Sequence, residues 1–375
     1  MTSRSEPSRS SSPLEVFLVA LRLGLTSFGG PIAHLGYFRS EYVVRRHWID
    51  ETTYADLVAL CQSLPGPTSS EVGIAIGLMR AGPLGAFLAW LGFTLPSATL
   101  MAVFAYTIDR LGGALMPVVR ALELVAIVVV AVAVWRMARA LAWDARRGAI
   151  ALAATALALA WHDQYAQVAI ILLAGLAGWV LLPAAAVLTR GMRTVPIGRR
   201  VAVVCGTLYL TLLLAFPLAR VTVQSGEIAL FDSFYRSGAF VFGGGHVVLP
   251  LLRNEVVPSG WVTEDAFLAG YGAAQAVPGP LFTFAAYLGA VIAPGPSSGD
   301  LFAVWPRSGI TGATIALIAI FLPAFLVVFA ALPSWGALRS RAWAQSALSG
   351  VNASVVGLLF AALIGLAMSA IASLQ

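Results

Sequence analysis

The 375-residue chain contains no lysine; all 23 of its basic residues are arginine. Without an ε-amine there is no Schiff-base chemistry, which excludes a retinal-type pigment or a lysine-imine enzyme. Charge of either sign is scarce: charged residues make up 11% of the chain, against about a quarter in ordinary soluble domains. The two cysteines, Cys61 and Cys205, sit in apolar runs and read as buried thiols, not a disulfide framework. His34 and His246 come close to matching each other, yet neither has a second ligand at metal spacing, so no metal site is expected. No phosphate-cradling loop, no Gly-x-Ser-x-Gly elbow and no cofactor motif occurs. The net charge of +6 has no soluble basic domain to carry it, which argues against nucleic-acid binding. Its arginines gather in short clusters, Arg136 to Arg147 and Arg190 to Arg200, of the kind that mark cytoplasmic loops.

Apolar residues, by contrast, make up 59% of the chain, and the mean hydropathy is +0.87. Several runs reach the ~20 residues needed to cross a ~30 Å hydrocarbon core. The expected class is an all-α polytopic membrane protein embedded in a lipid bilayer. The opening "MTSRSEPSRSSSP", residues 1–13, is polar and basic and is expected to be a disordered tail. No small-residue cleavage site follows it, so no signal peptide is expected.

The chain repeats itself. "RLGLTSFGG" at Arg22 to Gly30 matches "RSGAFVFGG" at Arg236 to Gly244, and Arg39 and Glu41 match Arg253 and Glu255. Trp48 follows the first pair and Trp261 the second, and "QSLPGP" at Gln62 to Pro67 matches "QAVPGP" at Gln275 to Pro280. Farther on, "AGPLGAFLAWLGFTLPSA" matches "SGITGATIALIAIFLPAF", aligning Pro96 with Pro323. The implied organisation is a first repeat over 14–145, linking transmembrane segments over 146–227, and a second repeat over 228–375. The loop holding Arg39, Arg45 and Arg46 is more basic than the one holding Arg253, Glu255, Glu264 and Asp265. Under the positive-inside rule this agrees with an inverted repeat.

Matched, interrupted hydrophobic segments in two halves point to a transporter binding site. Non-helical backbone at membrane depth is tolerated only inside protein or around a watery cavity. Pro65 must end the preceding helix near Leu64, and Pro67 suits the first position of a new one, with Pro278 and Pro280 at the matched positions of the second half. This predicts free N–H groups at Gly66, Thr68 and Ser69 with the hydroxyls of Thr68, Ser69 and Ser70 nearby. The second half would add the N–H groups of Gly279, Leu281 and Phe282 and the Thr283 hydroxyl. Two helix N-termini meeting near the midplane would suit a small tetrahedral anion. Gly29 and Gly30, with Gly243 and Gly244, are expected to bend helices and let backbones approach. Gln62 and Gln275 would donate hydrogen bonds without adding charge. Arg22 and Arg236, at matched positions, would lend positive potential to the path, and Arg39–Glu41 and Arg253–Glu255 would be pairs or gates at the surface. Glu71 lies about one turn into the helix after the first break. Ionised, it would repel a bound dianion; protonated, it would donate to it, which makes it a candidate proton switch.

"TSFGGPIAHLGYFRSEYVVRRHWID", "LPGPTSSEVGIAIG" and "FTLPSA" resemble the first half of the chromate ion transporter family, and "FVFGGGHVVLPLL", Trp261 and "GYGAAQAVPGPLFTFAAYLGA" resemble its second half. The resemblance spans most of 14–135 and 228–370. It implies export of chromate from the bacterial cytoplasm across the inner membrane, with sulfate as a structural mimic and homologous, oppositely inserted halves. The family usually has glutamine where this chain has Glu71. An anion channel and an intramembrane enzyme are the competing classes, and the sequence is compatible with a homodimer.

Overall fold

A computed structural model describes residues 12–111, 116–161, 166–183, 197–223, 225–242, 247–292, 309–334 and 341–372. Among these the chain is helical, with no strand. Helix α1 (Pro13–Thr26) starts at Ser12, whose side chain accepts from the Glu15 N–H, so the expected tail gives way to helix by its last two residues. The chain then turns at Gly29, which is left-handed at φ +93°, into α2 (Gly30–Phe38). A π-helical turn (Arg39–Arg45) leads to α3 (Glu51–Ser63), capped by Asp50. The expected break follows. α4 (Thr68–Leu111) is in fact two helices, since Ala81 and Gly82 are non-helical and Pro83 opens the second. Next come α5 (Met116–Leu141), α6 (Ala145–Ala160), α7 (Ala166–Leu181) and α8 (Arg199–Val223).

The second half replays the first: α9 (Gly226–Ala239), α10 (Val248–Val256), α11 (Glu264–Ala276), a break with a 3-10 turn (Leu281–Thr283), α12 (Phe284–Val291), α13 (Gly309–Ala331) and α14 (Ala342–Ala372). With 8 residues, α12 is only ~12 Å long and cannot cross a ~30 Å core. Among the described residues, four stretches are long and apolar enough to cross: 68–108, 199–223, 309–331 and 342–365.

Repeated sequence becomes repeated physics. Asp50 caps α3 by accepting from Thr53, and Thr263 caps α11 by accepting from Ala266. Arg39 pairs with Glu51 at 2.7 Å, and Arg253 with Glu264 at 2.8 Å. The expected gates therefore use a different acid: the carboxylate at the start of the next helix, not the one two residues along the chain. Trp48 carries Arg46 and Arg80 over its ring, and Trp261 carries Arg220. A Cβ at Gly24 would meet the Phe93 carbonyl at 2.6 Å, and one at Gly238 would strike the Ile320 carbonyl, so α1 lies backbone to backbone on α4 as α9 does on α13.

Candidate functional site

The site is built where the helices break. Leu64 is extended, at ψ 155°, and ends α3 ahead of Pro65. Gly66 follows at φ +148° and Gly279 at φ +104°, backbone that a side chain rarely allows. The first helical bond of α4 runs from the Glu71 N–H to the Pro67 carbonyl. Pro67 therefore caps the helix instead of opening it, and the N–H groups of Thr68, Ser69 and Ser70 precede the hydrogen-bond ladder. Thr68, Ser69, Ser70 and Glu71 are all buried.

The glycine N–H groups are not free. Gly66 donates to the Val241 carbonyl at 2.7 Å, and Gly279 donates to the Ser27 carbonyl at 3.0 Å. Ser27 and Val241 are matched positions of the repeat, so each break is latched to the carbonyl two residues ahead of the opposite half's glycine pair. A Cβ at Gly66 would meet Ala324 at 3.3 Å, and one at Gly279 would meet Ser97 Oγ at 2.6 Å. Ala324 and Ser97 each follow the proline of the opposite half's long helix. The two halves thus hold one another's breaks in equivalent arms. This corrects the expectation that both glycine amides face the anion: tertiary backbone pairing claims them first, as buried amides demand.

Other expected site residues divide. Arg22 is exposed, whereas Arg236 is buried and bound bidentately, to Asp232 at 2.9–3.0 Å and Glu255 at 2.8–3.0 Å. The two arginines are not equivalent, because Asp232, one turn before Arg236, corresponds to Leu18 in the first half. Two carboxylates cancel the positive potential expected of Arg236. Gln62 is exposed; Gln275 is half-buried and bonds Tyr271. The Thr283 hydroxyl donates to the Pro280 carbonyl of its own turn at 2.8 Å. Pro65 and Pro278 sit in the breaks, Pro280 is extended and precedes the 3-10 turn instead of opening a helix, Gly29 and Gly30 make the turn, and Gly243, Gly244 and His246 lie outside the described residues.

Sequence reasoning missed four residues. His34 Nδ1 lies 3.3 Å from Ser69 Oγ, its ring meets Phe93 edge-on at 5.3 Å, and it rests against the Ser27 backbone. The chain of contacts Gly279–Ser27–His34–Ser69 joins the two breaks. Ser27 Oγ, Ser70 Oγ and Thr94 Oγ1 are buried and find no hydrogen-bond partner among the described residues. Ser97, whose hydroxyl returns to the Thr94 carbonyl at 3.1 Å, completes the cluster. The available signal was asymmetry: Ser27, His34, Thr94 and Ser97 are polar where the second repeat has Val241, Val248, Phe321 and Ala324. Among the described residues no group of His, Cys, Asp and Glu is arranged to hold a metal.

A sequence profile described as "Chromate transporter" matches residues 14–179 and 228–375. The chain belongs to the chromate transporter family. Similar proteins include the "Chromate transport protein" of Pseudomonas aeruginosa, 30% identical over 98% of this chain and 83% of that one. The "Probable chromate transport protein" of Synechococcus elongatus is 27% identical over 92% of this chain and 82% of its own length. The "Chromate transport protein" of Cupriavidus metallidurans is 25% identical over 95% and 83%. No solved structure matches the chain. The family match embraces α6 and most of α7 but leaves 180–227, and so α8, outside. This chromate transporter family member is therefore a multi-pass membrane protein whose two matched portions flank a segment outside the match.

Proposed function

We propose that this protein is a secondary transporter that exports chromate across the bacterial cytoplasmic membrane and so confers chromate resistance, with sulfate competing as a mimic. The observation that carries the reading is the pair of helix breaks, reciprocally latched around a buried cluster of hydroxyls and helix-start amides. A tetrahedral dianion needs several convergent donors, and unpartnered hydroxyls beside a helix N-terminus supply them. The bound anion would take the amides of Thr68 to Ser70 and the hydroxyls of Ser27, Ser69 and Ser70. With both latches closed, as here, two further amides are held back; opening one latch frees one glycine N–H at one break. Alternating release of the two would expose the site to one side and then the other, in the inverted arrangement that the arginine asymmetry and the reciprocal contacts support. Outward movement of a dianion from a negative interior is favourable by about 2.3 kcal/mol per charge per 100 mV. The names of the similar proteins support chromate as the anion.

The test is energy-dependent chromate flux in everted vesicles of an expressing strain, with sulfate, molybdate and phosphate as competitors. Accumulation against a gradient supports a transporter. Flux that only equilibrates makes the protein an anion channel, and no protein-dependent flux refutes the reading.

A further inference from the structure

The two breaks are chemically unequal. Around them the first half carries Ser27, His34, Ser69, Glu71, Thr94 and Ser97 where the second carries Val241, Val248, Phe282, Phe284, Phe321 and Ala324. Only Glu71 among these is an acid. It is fully buried, and neither carboxyl oxygen has a hydrogen-bond partner among the described residues. Its carboxyl lies over the latched turn: a Cβ added at Gly66 would collide with Glu71 Oε1.

Among the described residues no cation is recorded beside it. Cys61 of α3 and Tyr209 of α8 lie within electrostatic reach, and the Tyr209 hydroxyl donates to the Ala239 carbonyl at 2.9 Å. From α2, His34 meets the same helical turn at Ser69, and α13 presents Ala324. Phe284, the counterpart of Glu71 in the second break, packs instead on Tyr271 of α11 and Tyr287 of α12. On α1, Glu15 pairs with Arg46, and Arg22 is exposed. A buried carboxylate without donor or counter-charge is costly, so the closed, latched packing suits the neutral acid, and the ionised form belongs to the state in which an open latch admits water before the anion binds. An ionised carboxylate and a dianion at one helix start repel each other, while the neutral acid offers an O–H donor.

We propose that Glu71 is a coupling site, taking up one proton from water as the dianion binds and carrying it across with the anion. The inference rests on the oxyanion-transport reading above. The carboxylate gains a proton to form one O–H bond, no electrons move, and the charge carried falls from −2 to −1. Proton and anion binding then help each other reciprocally.

The experiment uses the full chain in proteoliposomes, following chromate and internal pH together in wild type, Glu71→Gln and Glu71→Asp. Chromate's own protonation contributes equally to all three. Wild type should move protons with chromate and slow as pH rises. Glu71→Gln should still carry chromate, with loss of the extra proton signal and a flattened pH profile, and Glu71→Asp should retain both. Wild-type pH dependence and proton movement in Glu71→Gln overturns the proposal. If Glu71→Gln is inactive, or if wild type itself carries no chromate and the transport reading fails, carbodiimide labelling of wild-type Glu71 decides. That reagent modifies the protonated acid, so chromate should raise labelling, and unchanged labelling overturns the coupling.

Discussion

Replacing Gly279 by alanine separates two costs that the structure keeps distinct. The residue sits at φ +104°, and an added Cβ would lie 2.6 Å from Ser97 Oγ, 3.1 Å from Ser97 Cβ and 3.3 Å from the Phe93 carbonyl. Holding a non-glycine residue in that backbone region costs about 1–3 kcal/mol. Forcing the overlap costs about 1–3 kcal/mol more. Gly279→Ala should therefore destabilise by about 2–6 kcal/mol and displace the turn whose N–H reaches the Ser27 carbonyl. Adding Ser97→Gly removes both Ser97 contacts and should recover the overlap share while the backbone share persists. Gly82→Ala is the control, since Gly82 is also left-handed, at φ +66°, with nothing within 4 Å of the added carbon. It should cost only the backbone penalty, about 1–3 kcal/mol. Denaturant titration in detergent micelles gives the stabilities, and chromate flux in proteoliposomes gives the function. The reasoning fails if Gly279→Ala is no worse than Gly82→Ala, or if Ser97→Gly relieves nothing.

Arg236→Ala should destabilise by about 3–5 kcal/mol by leaving two buried carboxylates with only the longer ion pairs to Arg220, at 3.4 Å for Asp232 and 3.7 Å for Glu255, whereas the exposed Arg22→Ala should change stability by less than about 0.5 kcal/mol; the same titration checks both. Glu41 bonds Arg46 at 2.7 Å and Arg45 at 3.1 Å. Burial pushes its carboxyl upward, but the two guanidinium groups outweigh burial and hold it below the usual carboxylate range. A lowered folded value gives stability that is present above the ordinary carboxylate pKa and lost as pH falls through the folded one. Glu41→Gln should thus be less stable than wild type at neutral pH, with their thermal unfolding midpoints converging in acid; parallel curves would exclude the effect.

The breaks were legible because their causes are local. Proline excludes its predecessor from helix, and glycine alone tolerates the backbone at Gly66 and Gly279, so each of the two matched "PGP" stretches announces its break. Ala81-Gly82-Pro83, which splits α4, is legible for the same reason, as are the caps at Asp50 and Thr263. Long-range choices were not. Which carbonyl receives the Gly66 amide depends on how the halves interlock, and nothing near residue 66 names Val241. Arg22 and Arg236 align perfectly in the repeat and live in opposite environments, because Leu18 and Asp232 differ one turn earlier. Arg39 takes Glu51 and not Glu41 because the turn after α2 brings the start of α3 back beside it. Thr68, Ser69 and Ser70 were legible beside their break, but Ser27 and Thr94 stayed hidden because serine and threonine in an apolar helix look like tolerated packing residues until the fold shows their hydroxyls buried and unpartnered.

The central claim is that the paired breaks bind and move a tetrahedral oxyanion. Its most direct measurement is chromate flux through purified protein in proteoliposomes, comparing wild type with Gly66→Leu, Gly279→Leu and the double variant. Each variant must elute monodisperse from size exclusion in detergent. Wild type should move chromate against its gradient when a membrane potential is applied, with sulfate competing, and each leucine variant should lose that flux. A well-folded double variant that transports chromate at the wild-type rate would contradict the account.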